Sequence, residues 1–216
     1  MKKFINNKIF SSMGRKIYYS FHEIPFRQNY KLRFSKEEAF ELFISIVVLS
    51  IAFSIVNAFP NYSIFYSFLP TSFLAVITAF ACHEIAHKYM GIKYGYWSEY
   101  RMFPQGLLFA LLLSFAGFLF AAPGAVMIYG MPSREESGKI SMAGPMANIG
   151  VAILFLIIFK LTNLQIVGAI AFVNAFLAFF NLLPFGPLDG RKVFAWNLQV
   201  WIAMLIISLF LLIMVF

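Results

Sequence analysis

Two histidines and a glutamate lie close together in the stretch ACHEIAHKYMG, residues 81–91, at the end of an apolar run that begins near Phe65. His83 and His87 are four positions apart, so on a helix their imidazoles share one face. Two imidazoles on one face suit a tetrahedral zinc site, and Glu84 between them can act as general base on a zinc-bound water. The alternative is a pair of helix-end histidines at the headgroup level. We favour zinc because polar groups in an apolar span need a strong compensating interaction.

A catalytic zinc site needs a third protein ligand and one open position. The acidic residues downstream of the motif are Glu99, Glu135, Glu136 and Asp189. Only Asp189 adjoins an apolar span, in the stretch NLLPFGPLDG at residues 181–190. Alone, this stretch is typical of a turn, but together with HEIAH it indicates Asp189 as third ligand. Cys82 is a weaker candidate because it points about 100° away from His83 around the helix, and His22 is weaker because it lies in the basic N-terminal segment.

The composition indicates a membrane protein. The 216 residues are 61% hydrophobic and 12% charged, whereas a soluble domain has about 25% charged residues. The net charge of +8 could suggest nucleic acid, but nine of the seventeen Lys and Arg residues precede residue 37. That placement fits a cytoplasmic juxtamembrane segment facing anionic lipid, and we expect no nucleic-acid partner. We therefore divide the chain into a basic cytoplasmic segment, 1–36, and a single membrane-embedded metalloprotease domain, 37–216.

Apolar windows of about 20 residues predict membrane-spanning helices. Five are expected, at residues 39–59, 65–90, 140–159, 166–184 and 193–216. Ser35 and Glu38 have the form of a capping box and predict the start of the first helix. The apolar stretch 106–122 is of borderline length, so its course has to be decided by other arguments.

The position of the site decides between two topologies. If residues 106–122 cross the membrane, six spans result and HEIAH lies on the opposite face from Asp189. If residues 106–122 dip in and return, HEIAH and Asp189 both lie on the cytoplasmic side. Sixteen of the seventeen Lys and Arg residues are then cytoplasmic, compared with thirteen in the six-span topology. We therefore predict an all-α polytopic membrane protein with five spanning helices and a re-entrant hydrophobic segment. Its N-terminus is cytoplasmic and its active site lies nearer the cytoplasmic face.

A short strand-like connector follows the re-entrant segment. The sequence PGAVMIYG, residues 123–130, has strand-forming residues between turn residues. Such a segment could bind an unwound substrate by adding a strand to it, or it could be a buried connector that covers the site. In both cases it should lie against the site, because non-helical backbone at membrane depth is tolerated only inside protein or a wet cavity.

The chain resembles the site-2 proteases, which are intramembrane zinc metalloproteases. HEIAH corresponds to their HExxH, and AGPMAN, residues 143–148, corresponds to their G-P loop with a following Asn. Their second motif is matched by Asn181, Pro184, Leu188, Asp189 and Gly190. All three motifs occur in the expected order within residues 38–195. The site residues that the resemblance implies are His83, His87 and Asp189 as ligands of one zinc ion, Glu84 as general base, and Asn148 and Asn181 as substrate-binding residues.

These observations predict an intramembrane zinc metalloprotease that hydrolyses transmembrane segments of membrane-anchored protein substrates, in the plasma membrane of a prokaryote. One alternative is the membrane zinc protease that trims prenylated proteins, which uses a downstream Glu as third ligand. No downstream Glu lies in an apolar helix here. Another alternative is an inactive scaffold or a metal-binding or transport protein, but transport predicts polar groups in several spans. The spans at 39–59, 140–159 and 193–216 have no acid or His beyond the first turn.

Overall fold

The structure is a computed structural model that describes residues 30–119 and 121–215. Within these ranges the chain forms eight α-helices and one two-stranded antiparallel sheet. The helices are α1 Lys36–Ala58, α2 Phe65–Val76, α3 Cys82–Lys93, α4 Pro104–Ser114, α5 Arg134–Thr162, α6 Gln165–Asn181, α7 Asp189–Trp196 and α8 Leu198–Val215. The strands are β1 Trp97–Met102 and β2 Gly124–Tyr129. A 3₁₀ turn, Tyr62–Ile64, precedes α2, and a π turn, Ile77–Ala81, joins α2 to α3 without interrupting the helix.

Four helical stretches in the described part of the chain are long and apolar enough to cross a membrane. They are Lys36–Ala58, Tyr62–Lys93, Arg134–Thr162 and Leu198–Val215. The prediction of an all-α membrane protein is confirmed at this level. The window expected at 166–184 forms the shorter apolar helix α6 and then leaves the helix at Leu182. The window expected at 193–216 is divided, because Asn197 has extended backbone between α7 and α8.

The borderline stretch 106–122 overlaps the short helix α4, which begins at Pro104 and ends at Ser114. Its 11 residues are about 16 Å long, roughly half of the 30 Å hydrocarbon core. The strand-like connector that follows it forms β2, as expected. Its partner β1 was not predicted from the sequence. The two strands pair antiparallel, with Tyr100 opposite Val126 and Trp97 opposite Tyr129.

A buried carboxylate of α1 binds the edge of β1 that faces away from β2. Ser35 caps α1 by accepting a hydrogen bond from the backbone N–H of Glu38 at 3.0 Å. The reciprocal half of the predicted capping box is absent, because the Glu38 carboxylate turns inward instead. It accepts from Lys88 Nζ at 2.6 and 2.8 Å and from the backbone N–H of Tyr100 at 2.9 Å. A buried carboxylate is stabilised far more by a paired ammonium than by one amide, so this ion pair joins α1, α3 and β1.

Two apolar clusters lie on either side of α3. One joins α1, the α2–π segment, β1 and α4, and its buried members are Leu49, Val76, Phe80, Tyr100 and Leu107. The other joins α5, α6 and α8, and its buried members are Ile149, Ala152, Ala175, Ala178, Leu182, Met204 and Leu211. Helix α3 packs against α5, and α5 packs against α6 and α7. The HEIAH motif therefore lies where the two halves of the bundle meet.

Substitution of Lys88 by Met should destabilise the protein by about 3–5 kcal/mol, because Glu38 then becomes a buried carboxylate without a counter-charge. The double variant Glu38→Gln/Lys88→Met should recover most of this loss, since the Gln carbonyl can still accept from Tyr100. Thermal unfolding in detergent measures both. Lys139→Met is the control, because Lys139 pairs with the exposed Glu135 and should change stability by less than about 1 kcal/mol. A Lys88→Met protein as stable as the parent would contradict the assigned role.

Candidate metal centre

Two imidazoles and one carboxylate bring their ligand atoms together at the junction of α3, α5 and α7. His83 Nε2 lies 2.9 Å from His87 Nε2. Asp189 Oδ2 lies 3.2 Å from His83 Nε2 and 3.1 Å from His87 Nε2. Among the residues that the structure describes, this is the one cluster of three His, Cys, Asp or Glu side chains able to hold a metal ion together.

The spacing of the three atoms fits a tetrahedral zinc ion. Zinc–nitrogen and zinc–oxygen bonds of about 2.0–2.1 Å place neighbouring ligand atoms of a regular tetrahedron about 3.3 Å apart. The observed separations of 2.9–3.2 Å are close to that edge length. Two histidines and one carboxylate are also a ligand set that catalytic zinc sites use, with the fourth position left open.

The Nδ1 atoms of both histidines are held by oxygen acceptors, so their Nε2 atoms are free to coordinate. His87 Nδ1 lies 2.8 Å from the backbone carbonyl oxygen of Ile140 on α5. A carbonyl oxygen only accepts, so His87 Nδ1 carries the proton and Nε2 offers its lone pair. His83 Nδ1 lies 2.6 Å from Oδ1 of Asn148, also on α5. Such outer hydrogen bonds fix the tautomer and ring orientation of metal-binding histidines.

Asp189 is the first residue of α7. Gly190 follows it, and a Cβ there would collide with the backbone of Leu182 at the end of α6, so the turn needs glycine to carry Asp189 this close. Burial alone would raise the pKa of the Asp189 carboxyl, but positive charge on the imidazoles of His87 and His83 lowers it below its ordinary value, and a bound metal cation would act in the same direction. The carboxylate is therefore anionic and able to coordinate.

Gly144 of α5 lets the histidines reach the centre. A Cβ on Gly144 would lie 2.6 Å from Nε2 of His83 and would collide with Nε2 of His87. These are the two histidine atoms of the candidate ligand cluster, so a side chain at this position would crowd the place where an ion would lie. The close approach of α5 to α3 therefore leaves a cradle beside the two Nε2 atoms that an added Cβ would occupy.

Glu84 lies between the histidine pair and the edge of β2. Its carboxylate is buried and accepts a hydrogen bond from the backbone N–H of Val126 at 3.1 Å. It is near enough to both histidines and to Asp189 for electrostatic interaction with each. Glu84 is not one of the three clustered ligands, which leaves its carboxylate available to move a proton.

The remaining predicted site residues lie in different places. Asn148 is fully buried behind His83, whereas Asn181 is half-buried and donates to the carbonyl of Leu177 in its own helix. Their role in substrate binding stays a prediction. Cys82 is half-buried and outside the ligand cluster, and His22 falls outside the described residues.

Sequence reasoning missed the groups that support the ligands. Asn174, whose amide contacts Asn148, could have been noticed as a lone polar residue inside the apolar helix α6. The Ile140 carbonyl has no sequence signal, because a backbone oxygen is present at every position. The Val126 contact depends on the β1–β2 register, which the sequence did not reveal.

Comparisons with known proteins place the chain among zinc metalloproteases. A Methanocaldococcus jannaschii protein named "Putative zinc metalloprotease MJ0611" is 42% identical over 176 residues, which cover 78% of this chain and 89% of that protein. "Zinc metalloprotease MJ0392" of the same organism is 29% identical over 70% of this chain and 39% of its own length. "Putative zinc metalloprotease YwhC" of Bacillus subtilis is 27% identical over 59% of this chain and 68% of its own.

No protein-family model matches the chain, and no solved structure matches it significantly. Fold and site together define a helical membrane protein with a buried cluster of two histidines and one carboxylate that could hold a metal ion. At the identity and coverage found with the first relative, the chain belongs to the family of these zinc metalloproteases.

Gly144→Ala should lose stoichiometric zinc and with it metal-dependent activity, because the added methyl group occupies the cradle between the histidine Nε2 atoms. Zinc per purified chain, measured by atomic emission, tests this. Gly150→Ala is the matched control, since it lies on the same helix and a Cβ there meets nothing within 4 Å. It should keep full zinc and gain slightly in helix stability. Full zinc content in Gly144→Ala would show that the cradle is not the binding site.

Proposed function

We propose that this protein is an intramembrane zinc metalloprotease of the site-2 protease type, which hydrolyses peptide bonds in transmembrane segments of membrane-anchored proteins. The observation that carries the proposal is the cluster of His83, His87 and Asp189 with Glu84 beside it, within an apolar helix bundle. Membership of a zinc metalloprotease family supports the chemistry, and four apolar helices of spanning length support its setting. One zinc ion per chain is proposed.

Each group then has a defined chemical task. His83, His87 and Asp189 would hold a zinc ion, which would lower the pKa of a water to about 7 and polarise the scissile carbonyl. Glu84 takes the proton of the attacking water and later gives it to the leaving amine. His83, Glu84 and His87 are buried, so these electrostatic interactions act in a lower dielectric than that of bulk water.

The β2 strand is proposed to hold the substrate in an extended form. Carbonyls of a helical substrate are hydrogen-bonded within its own helix, so the segment to be cleaved must unwind first. The outer edge of β2 lies against the site, since its Val126 N–H already donates to Glu84. In an antiparallel pair the N–H groups that point outward recur at every second residue, so Ile128 presents the next donor. A substrate strand added here would pass beside Glu84.

The proposed topology has five spans, with 106–122 re-entrant and the N-terminus cytoplasmic. The short length of α4 supports a segment that does not cross alone. The metal centre combines α3, the start of α7 and the second turn of α5, where Ile140 binds His87. The three elements are proposed to open toward one face, the cytoplasmic face of a prokaryotic plasma membrane. The basic segment 1–36 is proposed to contact anionic lipid there.

Glu84→Gln should abolish cleavage of a model transmembrane substrate and keep zinc, because Glu84 moves a proton and does not coordinate. His83→Ala and Asp189→Ala should lose both zinc and cleavage. Activity in proteoliposomes and zinc content of the same preparations separate the two effects. His22→Ala is the control and should change neither. An Asp189→Ala protein that binds zinc as tightly as the parent would rule out Asp189 as third ligand.

Proline at Val126 or Ile128 should reduce cleavage of a transmembrane substrate more than zinc binding, because proline removes an N–H donor from the free edge of β2. Comparing KM for the substrate with zinc content in each variant provides the measurement. Met127→Pro is the comparison variant. Met127 pairs with Glu99 on β1, so proline there removes an N–H donor that points toward β1 and should weaken the hairpin itself. Parent-like cleavage by Ile128→Pro would exclude strand addition.

A cysteine at Ser133, in a Cys82→Ser background, should react with a membrane-impermeant thiol reagent from the cytoplasmic side only. Ser133 is exposed and caps the start of α5, so it reports the side on which the site opens. Labelling in intact cells and in inverted vesicles distinguishes the two sides. Zinc content of the variant verifies the fold, and labelling of intact cells from outside would overturn the orientation.

A further inference from the structure

Three polar side chains form a hydrogen-bonded chain behind His83. Oδ1 of Asn148 lies 2.6 Å from His83 Nδ1, and its Nδ2 donates to Oδ1 of Asn174 at 3.1 Å. Nδ2 of Asn174 donates in turn to Oγ1 of Thr78 at 3.1 Å. Both asparagines are fully buried. The chain therefore runs from α3 through α5 to α6 and back to the π turn that precedes α3.

Backbone carbonyls fix the orientation of both amides. Nδ2 of Asn148 also donates to the carbonyl of Ala79 at 2.8 Å, and Nδ2 of Asn174 to the carbonyl of Ile170 at 3.0 Å. A carbonyl cannot donate, so neither amide can be reversed without placing two acceptors face to face. With Nδ2 of Asn148 thus assigned, its Oδ1 must accept from His83, and His83 Nδ1 must carry the proton.

The π turn supplies one end of this arrangement. Within Ile77–Ala81 the backbone ladder is shifted by one residue, and Cys82 N–H bonds to the carbonyl of Ile77. The turn contains both Thr78 and Ala79, whose oxygens accept from Asn174 and Asn148. π turns inside α-helices are frequent at functional sites, and here the turn presents two acceptors to the asparagines immediately before the metal-binding motif.

His87 is oriented differently. Its Nδ1 donates to the Ile140 carbonyl, an acceptor held by the backbone of α5. His83 instead depends on a side-chain amide, which could rotate if it had no further partners. Asn174 and the Ala79 carbonyl remove that freedom.

We propose that Asn174 of α6 is a positioning residue for the metal centre, acting through Asn148 to hold His83 with its Nε2 lone pair facing the ion. Thr78 completes the chain by accepting from Asn174. The inference rests on the proposed zinc site, because it assigns His83 Nε2 as a ligand. It extends the site to α6, which contributes none of the three ligands.

Asn174→Leu should lower zinc affinity by about tenfold, and Asn148→Leu by up to about 100-fold, the range typical when an outer partner of a metal-binding histidine is removed. Competition with a chromophoric chelator measures the affinity. The absorption spectrum of the cobalt-substituted protein reports the ligand geometry independently of activity. Both variants should show an altered cobalt spectrum, because the His83 ring is less firmly held.

Thr78→Val and Thr78→Ser separate positioning from folding. Valine keeps the shape of threonine without the hydroxyl and should weaken zinc binding several-fold, whereas serine retains the acceptor and should bind as the parent does. Asn57→Leu is the matched control for loss of an asparagine from an apolar helix. Asn57 donates to the Phe53 carbonyl four residues back, as Asn174 does to Ile170, but has no link to His83. Its zinc affinity should be unchanged.

The outcomes distinguish this inference from the proposed function. Suppose that the parent protein binds zinc and that Asn174→Leu and Thr78→Val have the zinc affinity and cobalt spectrum of the parent. This result overturns the positioning role and leaves the protease proposal intact. Unchanged zinc affinity with a raised KM in Asn148→Leu would instead assign Asn148 to the substrate and overturn the inference. Parent protein without zinc binding overturns both. If Asn174→Leu does not fold, the Thr78→Val and Thr78→Ser pair decides.

Discussion

Three ligand atoms held about 3 Å apart inside an apolar bundle need a cation among them, either a metal ion or a proton. Nε2 of His83, Nε2 of His87 and Oδ2 of Asp189 are in this situation. The Nδ1 contacts with Asn148 and with the Ile140 carbonyl hold both rings with Nε2 facing this point. Much of the structure near the site maintains this convergence.

Small residues at helix crossings make that convergence possible. Gly144 allows α5 to approach the histidine rings, and Gly190 allows α7 to begin against the end of α6. In lipid, helices associate through close packing and interhelical hydrogen bonds, because the lipid tails are as apolar as leucine. The polar groups near the site follow the same rule, and no buried side-chain nitrogen or oxygen in the described ranges lacks a hydrogen-bond partner. Packing and polar pairing thus support the same geometry.

The convergence of His83, His87 and Asp189 could be predicted from the sequence better than the groups that hold them in place. His83 and His87 were predictable because helix periodicity alone places residues four apart on one face, and Asp189 because few acids adjoin apolar spans. By contrast, β1 was missed because WSEYRM does not alternate cleanly between apolar and polar residues, and Glu38 was assigned to a cap although a distant lysine binds it more strongly. The break at Asn197 was missed because hydropathy averages over a change in backbone direction. These features depend on contacts far apart in the chain.

Carboxylates of α1 occupy one edge of the two-stranded sheet. Glu38 and Glu41 accept from the outward N–H groups of Tyr100 and Met102 at 2.9 Å, so those positions of β1 are already occupied. An open strand edge is a template for unwanted pairing with other chains, and a two-stranded ribbon would normally offer two such templates. Here side chains of the same molecule occupy the β1 edge, and the β2 edge faces Glu84. Two copies of the protein therefore cannot join through β1 without first displacing a buried ion pair.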